Sequence, residues 1–235
     1  MDTFKHRAPL FLVIDHFDSF THNILNLLHL TTAAVSGASS EKIWCLPYGS
    51  SAIFPLVNDC TRHRHLLRIV LSPGPKQPSA VPESIKLYQR YRHVYPFLGI
   101  CLGHQIMGVS EGYSLGKTKM LAHGGVRKVN FLAHSGYDDI MQDHIFAIYN
   151  SLRLSHQANH SDHPNRLDVI AYDELGEIAA LGPLLNDQQG LRPPHLSVQF
   201  HPESFLSTKG PQLMTRWHQL VNSYQRHINW LDGSS

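Results

Sequence analysis

The sequence predicts an α/β fold of three layers, with a central, mostly parallel sheet covered by helices on both faces. Short, continuous apolar runs such as residues 10–15 and 95–100 are typical of strands that are buried on both faces. Segments with helical spacing alternate with these runs in the first half of the chain. Such alternation favours parallel strands joined by crossover helices.

The elements follow in order along the chain. Asp18 or Ser19 can cap the first helical segment, and Pro82 with Glu83 suits the first turn of the second. Nothing resembles a linker, so we expect one domain over residues 1–235. The predicted strands are 10–15, 42–46, 66–72, 95–100, 125–132, 144–154, 167–174, 177–185 and 195–200, and the predicted helices include 17–30, 82–94 and 208–227.

Composition limits the classes of function. A formal net charge of +2 over 235 residues gives no case for binding nucleic acid or a membrane surface. No uncharged apolar stretch reaches the ~20 residues that cross a bilayer. Cys45, Cys60 and Cys101 are an odd number without paired spacing, which favours a reducing compartment over a disulfide framework. We therefore expect a soluble, cytoplasmic protein.

One histidine cluster has the spacing of a metal site. His156, His160 and His163 follow one another at intervals of four and three residues, which would bring them to one face of a helix. The segment is polar, ends in Pro164-Asn165 and has no nearby glutamate. A solvated loop is the better interpretation, and the sequence predicts no metal and no cofactor.

Three polar motifs each follow a predicted strand. They are "LSPGP" at 71–75, "CLGHQ" at 101–105 and "HPES" at 201–204. In an open α/β sheet, ligands bind beyond the carboxyl ends of the strands. We therefore expect these three motifs to meet at one site.

The residues in these motifs suit acyl transfer through a thiol. Cys101 lies between Gly99 and Gly103, the pattern of a tight strand-to-helix turn that exposes its central side chain. His201 can take the thiol proton, and Glu203 can orient the imidazole. The N–H of Leu102 and the turn at Gly74 are candidates to stabilise an oxyanion.

Each motif also has a structural interpretation. Cys101 alone is more often a small buried apolar side chain than a nucleophile. His201 before Pro202 can be a turn residue, Glu203 a helix cap, and "SPGP" only a turn. The functional interpretation gains weight because three strand-end motifs have mutually supportive roles.

These residues resemble a known family. "GICLGHQ" (99–105) and "QFHPES" (199–204) are similar to motifs of the class I, triad-type glutamine amidotransferases. "VIDHFDSFTHNI" (13–24), "IVLSPGPKQP" (69–78) and "YNSL" (149–152) narrow the resemblance to the glutaminase component of anthranilate synthase or aminodeoxychorismate synthase, with a slight preference for the second. These motifs span nearly the whole chain.

The resemblance implies a mechanism and a set of contacts. Cys101 would attack the side-chain amide of glutamine and form a glutamyl thioester, with His201 and Glu203 completing the triad. Ammonia would pass to a partner synthase subunit that aminates chorismate. The resemblance further implies an oxyanion hole and substrate wall at Gly74, Pro75, Lys76 and Leu102, substrate contacts at Gln105, Ser151 and Leu152, and a partner-facing segment with Asp18, Ser19 and Thr21.

The chain departs from the family pattern at several positions. Asn150 stands where the family usually has histidine, and Lys76 replaces a small residue. The segment Ala122 to Val126 lacks a basic residue at Gly125. Relative to the family, we expect extra polar length around 36–65 and 155–195. These departures concern substrate contacts and coupling to a partner rather than the triad.

Two other functions stay open. A stand-alone hydrolase of γ-glutamyl amides would use the same triad without a partner, although the "DSFT" segment (18–21) argues against it. A non-catalytic subunit that regulates a synthase would not need Cys101, His201 and Glu203 together. The sequence does not separate folate from tryptophan biosynthesis.

Overall fold

The computed structural model describes residues 10–36, 42–119, 125–137, 144–156, 167–183 and 192–231. Eleven strands and five α-helices occur in this part of the chain. The strands are β1 Phe11–Asp15, β2 Ile43–Pro47, β3 Arg68–Leu71, β4 Phe97–Ile100, β5 Ser114–Lys117, β6 Gly125–Phe131, β7 His144–Ile148, β8 Leu152–Ser155, β9 Asp168–Asp173, β10 Ile178–Gly182 and β11 Leu196–Val198, and the helices are α1 Thr21–Ser36, α2 Ile53–Arg62, α3 Pro82–Tyr91, α4 Leu102–Ser110 and α5 Gly210–Leu231.

Nine strands form one mixed sheet in the order β2-β1-β3-β4-β11-β10-β9-β6-β7. The first five strands in this order run parallel to one another, and β10, β9, β6 and β7 extend the sheet by antiparallel pairing that begins at β11. β5 and β8 pair in a separate two-stranded sheet. The predicted α/β class with a central parallel sheet is confirmed.

The parallel strands are buried on both faces, which explains their continuous apolar runs. In β1, Phe11 and Val13 pack into one apolar cluster, while Leu12 and Ile14 pack into a second one on the other face. Residues of α1 and α5 complete the first cluster, and residues of α2, α3 and α4 complete the second. The sheet is therefore the middle of three layers, as predicted.

Helices α1 and α5 each pack on the sheet through one buried, mostly apolar face. In α1 the buried residues Ile24, Leu27, Leu28 and Thr31 recur at the three- and four-residue intervals that keep one helix face towards the core. In α5, Leu213, Met214, Trp217 and Val221 do the same. These two helices pack beside each other on one face of the sheet.

Several of the sequence predictions need correction, including the helix over 17–30, which begins at Thr21 and ends at Ser36. The single strand expected over 144–154 is two strands. The polypeptide leaves the main sheet after β7, and β8 then pairs with β5 in the separate two-stranded sheet. The helix expected over 82–94 ends at Tyr91. The polar stretch 36–65 contains β2 and α2, and α2 was not predicted, although Ile53, Leu56, Val57 and Cys60 form its buried face. Whether this stretch and 155–195 are longer than in relatives stays a prediction.

Candidate active site

Cys101 lies at a strained turn between β4 and α4. Its backbone φ is +51°, a conformation that side-chain-bearing residues rarely adopt and that costs of order 1–3 kcal/mol. A Cβ on Gly103 would lie 2.1 Å from the carbonyl oxygen of Leu71, and one on Gly99 would lie 2.6 Å from that of Gly103. Both glycines are thus required by close packing of α4 on the sheet.

His201 and Glu203 meet directly after β11, the strand next to β4. Nδ1 of His201 lies 2.7 Å from Oε1 of Glu203, and because a carboxylate only accepts, the imidazole donates. The backbone N–H of His201 donates to the carbonyl oxygen of Ala147 in β7. Both side chains are buried, and Nε2 of His201 has no hydrogen-bond partner among the described residues.

The surroundings of His201 favour its charged form. Burial lowers its pKa, but hydrogen bonding and charge interaction with Cys101 and Glu203 outweigh burial and together raise the pKa of His201 to about 10. The arrangement places an imidazole with a high proton affinity after the strand next to Cys101, with a carboxylate behind it, which suits covalent acyl transfer.

Two aromatic rings fix the plane of His201. Tyr149 meets the imidazole edge-on at 4.9 Å between ring centroids, and Phe20 does so at 5.7 Å. Phe20 and Tyr149 also stack on each other at 5.5 Å. Neither residue was predicted as a member of the site, although Phe20 lies within the motif at 13–24 and Tyr149 within the motif at 149–152.

The turn after β3 lies against the start of α4. A Cβ on Gly74 would be 2.9 Å from Cδ2 of Leu102, so the turn and the helix start touch. Pro75 and Lys76 are exposed. The ammonium of Lys76 donates to the hydroxyl of Tyr48 and lies 4.5 Å from the centre of its ring.

A pair of glutamines connects Cys101 to the first residue of β8. Gln199 Nε2 lies 3.7 Å from the Cys101 sulfur, and Gln105 Nε2 donates to Gln199 Oε1 at 3.2 Å. Gln105 Nε2 also lies 3.4 Å from the carbonyl oxygen of Leu152. Gln105 is only 4% exposed, so its amide nitrogen is engaged by the protein. Gln199 was not predicted as a site residue.

The motif at 149–152 forms the wall beyond these glutamines. Asn150 Nδ2 donates to the Leu152 carbonyl oxygen at 2.7 Å, whereas its buried Oδ1 has no partner among the described residues. Ser151 is exposed, and Leu152 is half-buried. The carbonyl oxygen of Ser151 accepts from the N–H of Thr118. The predicted Ser151–Leu152 pair therefore lies near Gln105.

Comparison with known proteins identifies the family. Residues 12–219 match the model of the glutamine amidotransferase class-I family. The chain belongs to this family. It is 33% identical over 202 residues to anthranilate synthase component 2, pyocyanine specific, of Pseudomonas aeruginosa, covering 86% of this chain and 89% of that protein. It is 30% identical over 211 residues to anthranilate synthase component 2 of Thermus thermophilus, covering 86% and 88% respectively.

Solved structures agree on the fold of this class I glutamine amidotransferase. A putative GMP synthase subunit from Thermoplasma acidophilum aligns with a TM-score of 0.67 at 19% identity, covering 92% of this chain and 95% of the other. A glutamine amidotransferase from Thermotoga maritima aligns with a TM-score of 0.54 at 15% identity, covering 97% and 95%. The predicted enzyme class is confirmed by the family.

The segment predicted to face a partner has two surface residues and one buried residue. Ser19 is exposed and Asp18 half-buried. Thr21 is 3% exposed and donates its hydroxyl to Oδ1 of Asp15 at 2.8 Å. The expectation that Thr21 lies on the rim is therefore corrected, because its side chain forms part of the fold of this amidotransferase.

Some sequence predictions fall outside the described residues. His160, His163 and the segment 122–124 lie there, as do 157–166 and 184–191 of the polar stretch 155–195. Among the residues that are described, no group of three His, Cys, Asp or Glu side chains is placed to hold a metal ion. No helix in the described part of the chain is long and apolar enough to span a membrane.

Proposed function

We propose that this protein is the glutaminase subunit of a chorismate-aminating synthase. Cys101 passes its thiol proton to His201 as it attacks the side-chain amide carbon of L-glutamine, and His201 delivers that proton to the departing ammonia, leaving a glutamyl thioester. Water then attacks the thioester with His201 as base, which releases glutamate and restores the thiol. The sum is glutamine plus water to glutamate plus ammonia, and no cofactor is needed.

One observation carries this proposal. The His201–Glu203 pair lies at the end of β11, next to the strained Cys101 turn at the end of β4. Cys101 and Glu203 outweigh burial and raise the pKa of His201 to about 10. His201 can therefore hold the proton that an amide leaving group requires. A structural histidine needs neither a strained cysteine nor a carboxylate beside it.

The remaining predicted contacts fit the same reaction. We assign Gly74, Pro75, Lys76 and Leu102 to the oxyanion hole and substrate wall. Ser151 and Leu152 hold the amino-acid end of glutamine, and Gln105 supports them from behind. In the segment Pro73-Gly74-Pro75 only Gly74 has a backbone N–H, since proline has none. This N–H makes no hydrogen bond to another described residue.

The partner we propose is the chorismate-using component I of anthranilate synthase. Two relatives that cover most of the chain are named anthranilate synthase component 2, and their names favour this partner over aminodeoxychorismate synthase, towards which the sequence motifs leaned. Asp18 and Ser19 at the rim are our proposed contacts with it. This assignment implies a role in tryptophan biosynthesis and a cytoplasmic location.

The test is glutamate release from glutamine by the purified chain, alone and with each chorismate-using component I from the same source. Strong activation by one component supports the proposal and identifies the pathway. Full activity without any partner would instead indicate a stand-alone γ-glutamyl hydrolase. No activity in any mixture, from folded protein with reduced Cys101, would indicate a regulatory subunit.

Substitution of the nucleophile gives the first mutational prediction. Cys101→Ser removes glutamine-dependent amination in the complex and leaves ammonia-dependent amination intact, because only the thiol forms the thioester. Cys45→Ser, at an exposed cysteine in β2, is the matched control and retains both activities. Loss of both activities in a well-folded Cys101→Ser complex would refute the division of labour between the subunits.

A further inference from the structure

His16, the residue after β1, is fully buried beside the turn at Ser72–Gly74 and has no place in the sequence-predicted site. Its side chain is 0% exposed. Nδ1 lies 3.1 Å from the carbonyl oxygen of Ser72, and Nε2 lies 2.8 Å from the hydroxyl of Ser84 in α3. The ring stacks on Tyr48 at 5.8 Å between centroids. His16 thus contacts the Ser72–Gly74 turn, helix α3 and Tyr48, the residue that follows β2.

The hydrogen bonds determine the tautomer of His16. A carbonyl oxygen only accepts, so Nδ1 carries the proton and donates to Ser72. Burial lowers the pKa of His16 to about 4, so the ring is neutral and Nε2 accepts from the Ser84 hydroxyl. Both ring nitrogens of His16 then have a partner of the correct kind.

The same contacts lock both carbonyl groups that precede Gly74. The Ser72 carbonyl is held by Nδ1 of His16. The Ser72 hydroxyl accepts from the backbone N–H of His16 at 2.9 Å and donates to the carbonyl oxygen of Pro73 at 2.7 Å. With both carbonyls committed to this network, the peptide planes on either side of Pro73 cannot rotate freely.

Gly74 is fitted closely against His16. A Cβ on Gly74 would lie 2.7 Å from Cβ of His16 and 2.9 Å from its carbonyl oxygen. The Ser72–Gly74 turn therefore contacts the His16 backbone as well as its ring. Gly74 has the N–H assigned above to the oxyanion, and donors of this kind act only when they are held in place beforehand.

We propose that His16 is a positioning residue that fixes the Ser72–Gly74 turn so that the Gly74 N–H is held ready for the oxyanion. It touches neither substrate nor Cys101 in this role and acts through the turn alone. The inference rests on the proposed glutaminase function, in which this turn supplies one of the two oxyanion donors.

The first experiment compares His16→Ala with His16→Asn in glutamate release, measured in the complex with component I. One oxyanion donor is worth about 10²- to 10³-fold in kcat, so a loosened donor in His16→Ala should lower kcat about 10- to 100-fold with little change in KM. The Asn amide can replace Nδ1–H towards the Ser72 carbonyl and should recover most of the loss.

Two reagents separate a displaced turn from a damaged nucleophile. Iodoacetamide alkylates a thiol without an oxyanion, so its rate at Cys101 should be unchanged in His16→Ala. Acylation of Cys101 by p-nitrophenyl acetate does form an oxyanion and should slow together with kcat. Because the ester does not involve glutamine, this readout tests the role of His16 even if the chain proves not to be a glutaminase.

Two further variants complete the design. Ser84→Ala removes the partner of Nε2 without touching the turn and should give a smaller loss of acylation rate, which keeps the proposal testable if His16→Ala fails to fold. His218→Asn is the matched control, since His218 is also fully buried but contacts Phe11 at the opposite end of β1. It should leave the acylation rate unchanged.

The proposal is overturned if iodoacetamide and ester rates at Cys101 fall in parallel in His16→Ala, or if neither changes. It is also overturned if His16→Asn is as slow as His16→Ala. Wild-type protein that is acylated by the ester but releases no glutamate with any partner would refute the proposed function and leave the role of His16 supported.

Discussion

His201 and His218 are both buried histidines, yet they lie at opposite ends of the parallel strands, and their pKa values are shifted in opposite directions. His201 follows β11, where Cys101 and Glu203 overcome burial and raise its pKa to about 10. His218 in α5 packs against Phe11 and Arg68, the first residues of β1 and β3. There burial and the Arg68 guanidinium lower the pKa of His218 to about 3.

The hydrogen bonds of His218 serve packing rather than chemistry. Nε2 of His218 lies 2.9 Å from the Thr31 hydroxyl, which itself donates to the carbonyl oxygen of Leu27. Nε2 therefore carries the proton and Nδ1 accepts. This arrangement connects α5 to α1 with a neutral ring. Neighbouring charges, and not a difference in the depth of burial, therefore decide which of these two histidines holds a proton.

The largest expected effect comes from removing the carboxylate that distinguishes the two histidines. Glu203→Gln should lower the pKa of His201 towards that of the other buried histidines, and kcat for glutamate release should fall about 10²- to 10⁴-fold. Glutamate release in the complex and an NMR titration of the His201 ring measure the two effects.

Glu83→Gln is the matched control for this variant, because Glu83 is an exposed carboxylate in the first turn of α3. It should leave both the activity and the His201 titration unchanged. An unaltered pKa of His201 in Glu203→Gln would show that the carboxylate does not cause the difference between His201 and His218.

An intermediate effect is expected in the pH dependence of stability. Burial lowers the pKa of His16 to about 4, and of His104, His195 and His218 to about 3. Below pH 6.5, their ordinary pKa, the unfolded chain therefore binds protons that the folded chain does not. The free energy of unfolding should fall towards acid by up to about 1.4 kcal/mol per pH unit for each histidine.

His201 has the opposite sign. Its raised pKa means that the folded chain keeps a proton that the unfolded chain loses above pH 6.5, so its stabilising contribution is complete below that pH and disappears towards about pH 10. Urea unfolding at a series of pH values measures both limbs. Glu203→Gln should flatten the alkaline limb alone, and an unchanged alkaline limb would count against a charged His201.

The smallest effect is expected at the structural histidine. Thr31→Val keeps the shape of a buried side chain but leaves Nε2–H of His218 without its acceptor, which should lower the free energy of unfolding by about 1–2 kcal/mol. Glutamate release should not change. Urea unfolding and kcat measure the two properties separately.

Ser110→Ala is the control for Thr31→Val, since the Ser110 hydroxyl bonds only to its own helix at the Ile106 carbonyl oxygen. Its effect on stability should be within about 0.5 kcal/mol. A loss of activity in Thr31→Val would show that the two ends of the sheet are coupled, contrary to the separation described above.

Short local motifs made part of the site predictable. Cys101 was recognisable from its flanking glycines, and His201 and Glu203 from their place after a strand. The structure adds the physical reason for the glycines, which is the close approach of Leu71 to Gly103 rather than a need for flexibility. Regular apolar runs likewise predicted the parallel strands.

Residues whose role depends on another segment were missed. Gln199 is one polar residue in an apolar run, and only the fold brings it to the Cys101 sulfur. Tyr149 and Phe20 come from segments more than a hundred residues apart and meet at His201. β5 and β8 are short strands that, within the described part of the chain, pair only with each other, so neither has the signature of a central strand.

The sequence by itself determined the layered α/β class, the family and the three residues of the proposed triad, because each is encoded in a short run of neighbouring residues. Only the tertiary structure decided which histidines are charged. His16, His201 and His218 are all deeply buried histidines, and they differ in whether a hydroxyl, a carboxylate or a guanidinium faces the ring. The Ser84 hydroxyl and the Arg68 guanidinium come from distant segments, whereas Glu203 is only two residues from His201 and is aimed at the ring by the local turn. Since electrostatic interactions act through space, their outcome depends on the folded arrangement.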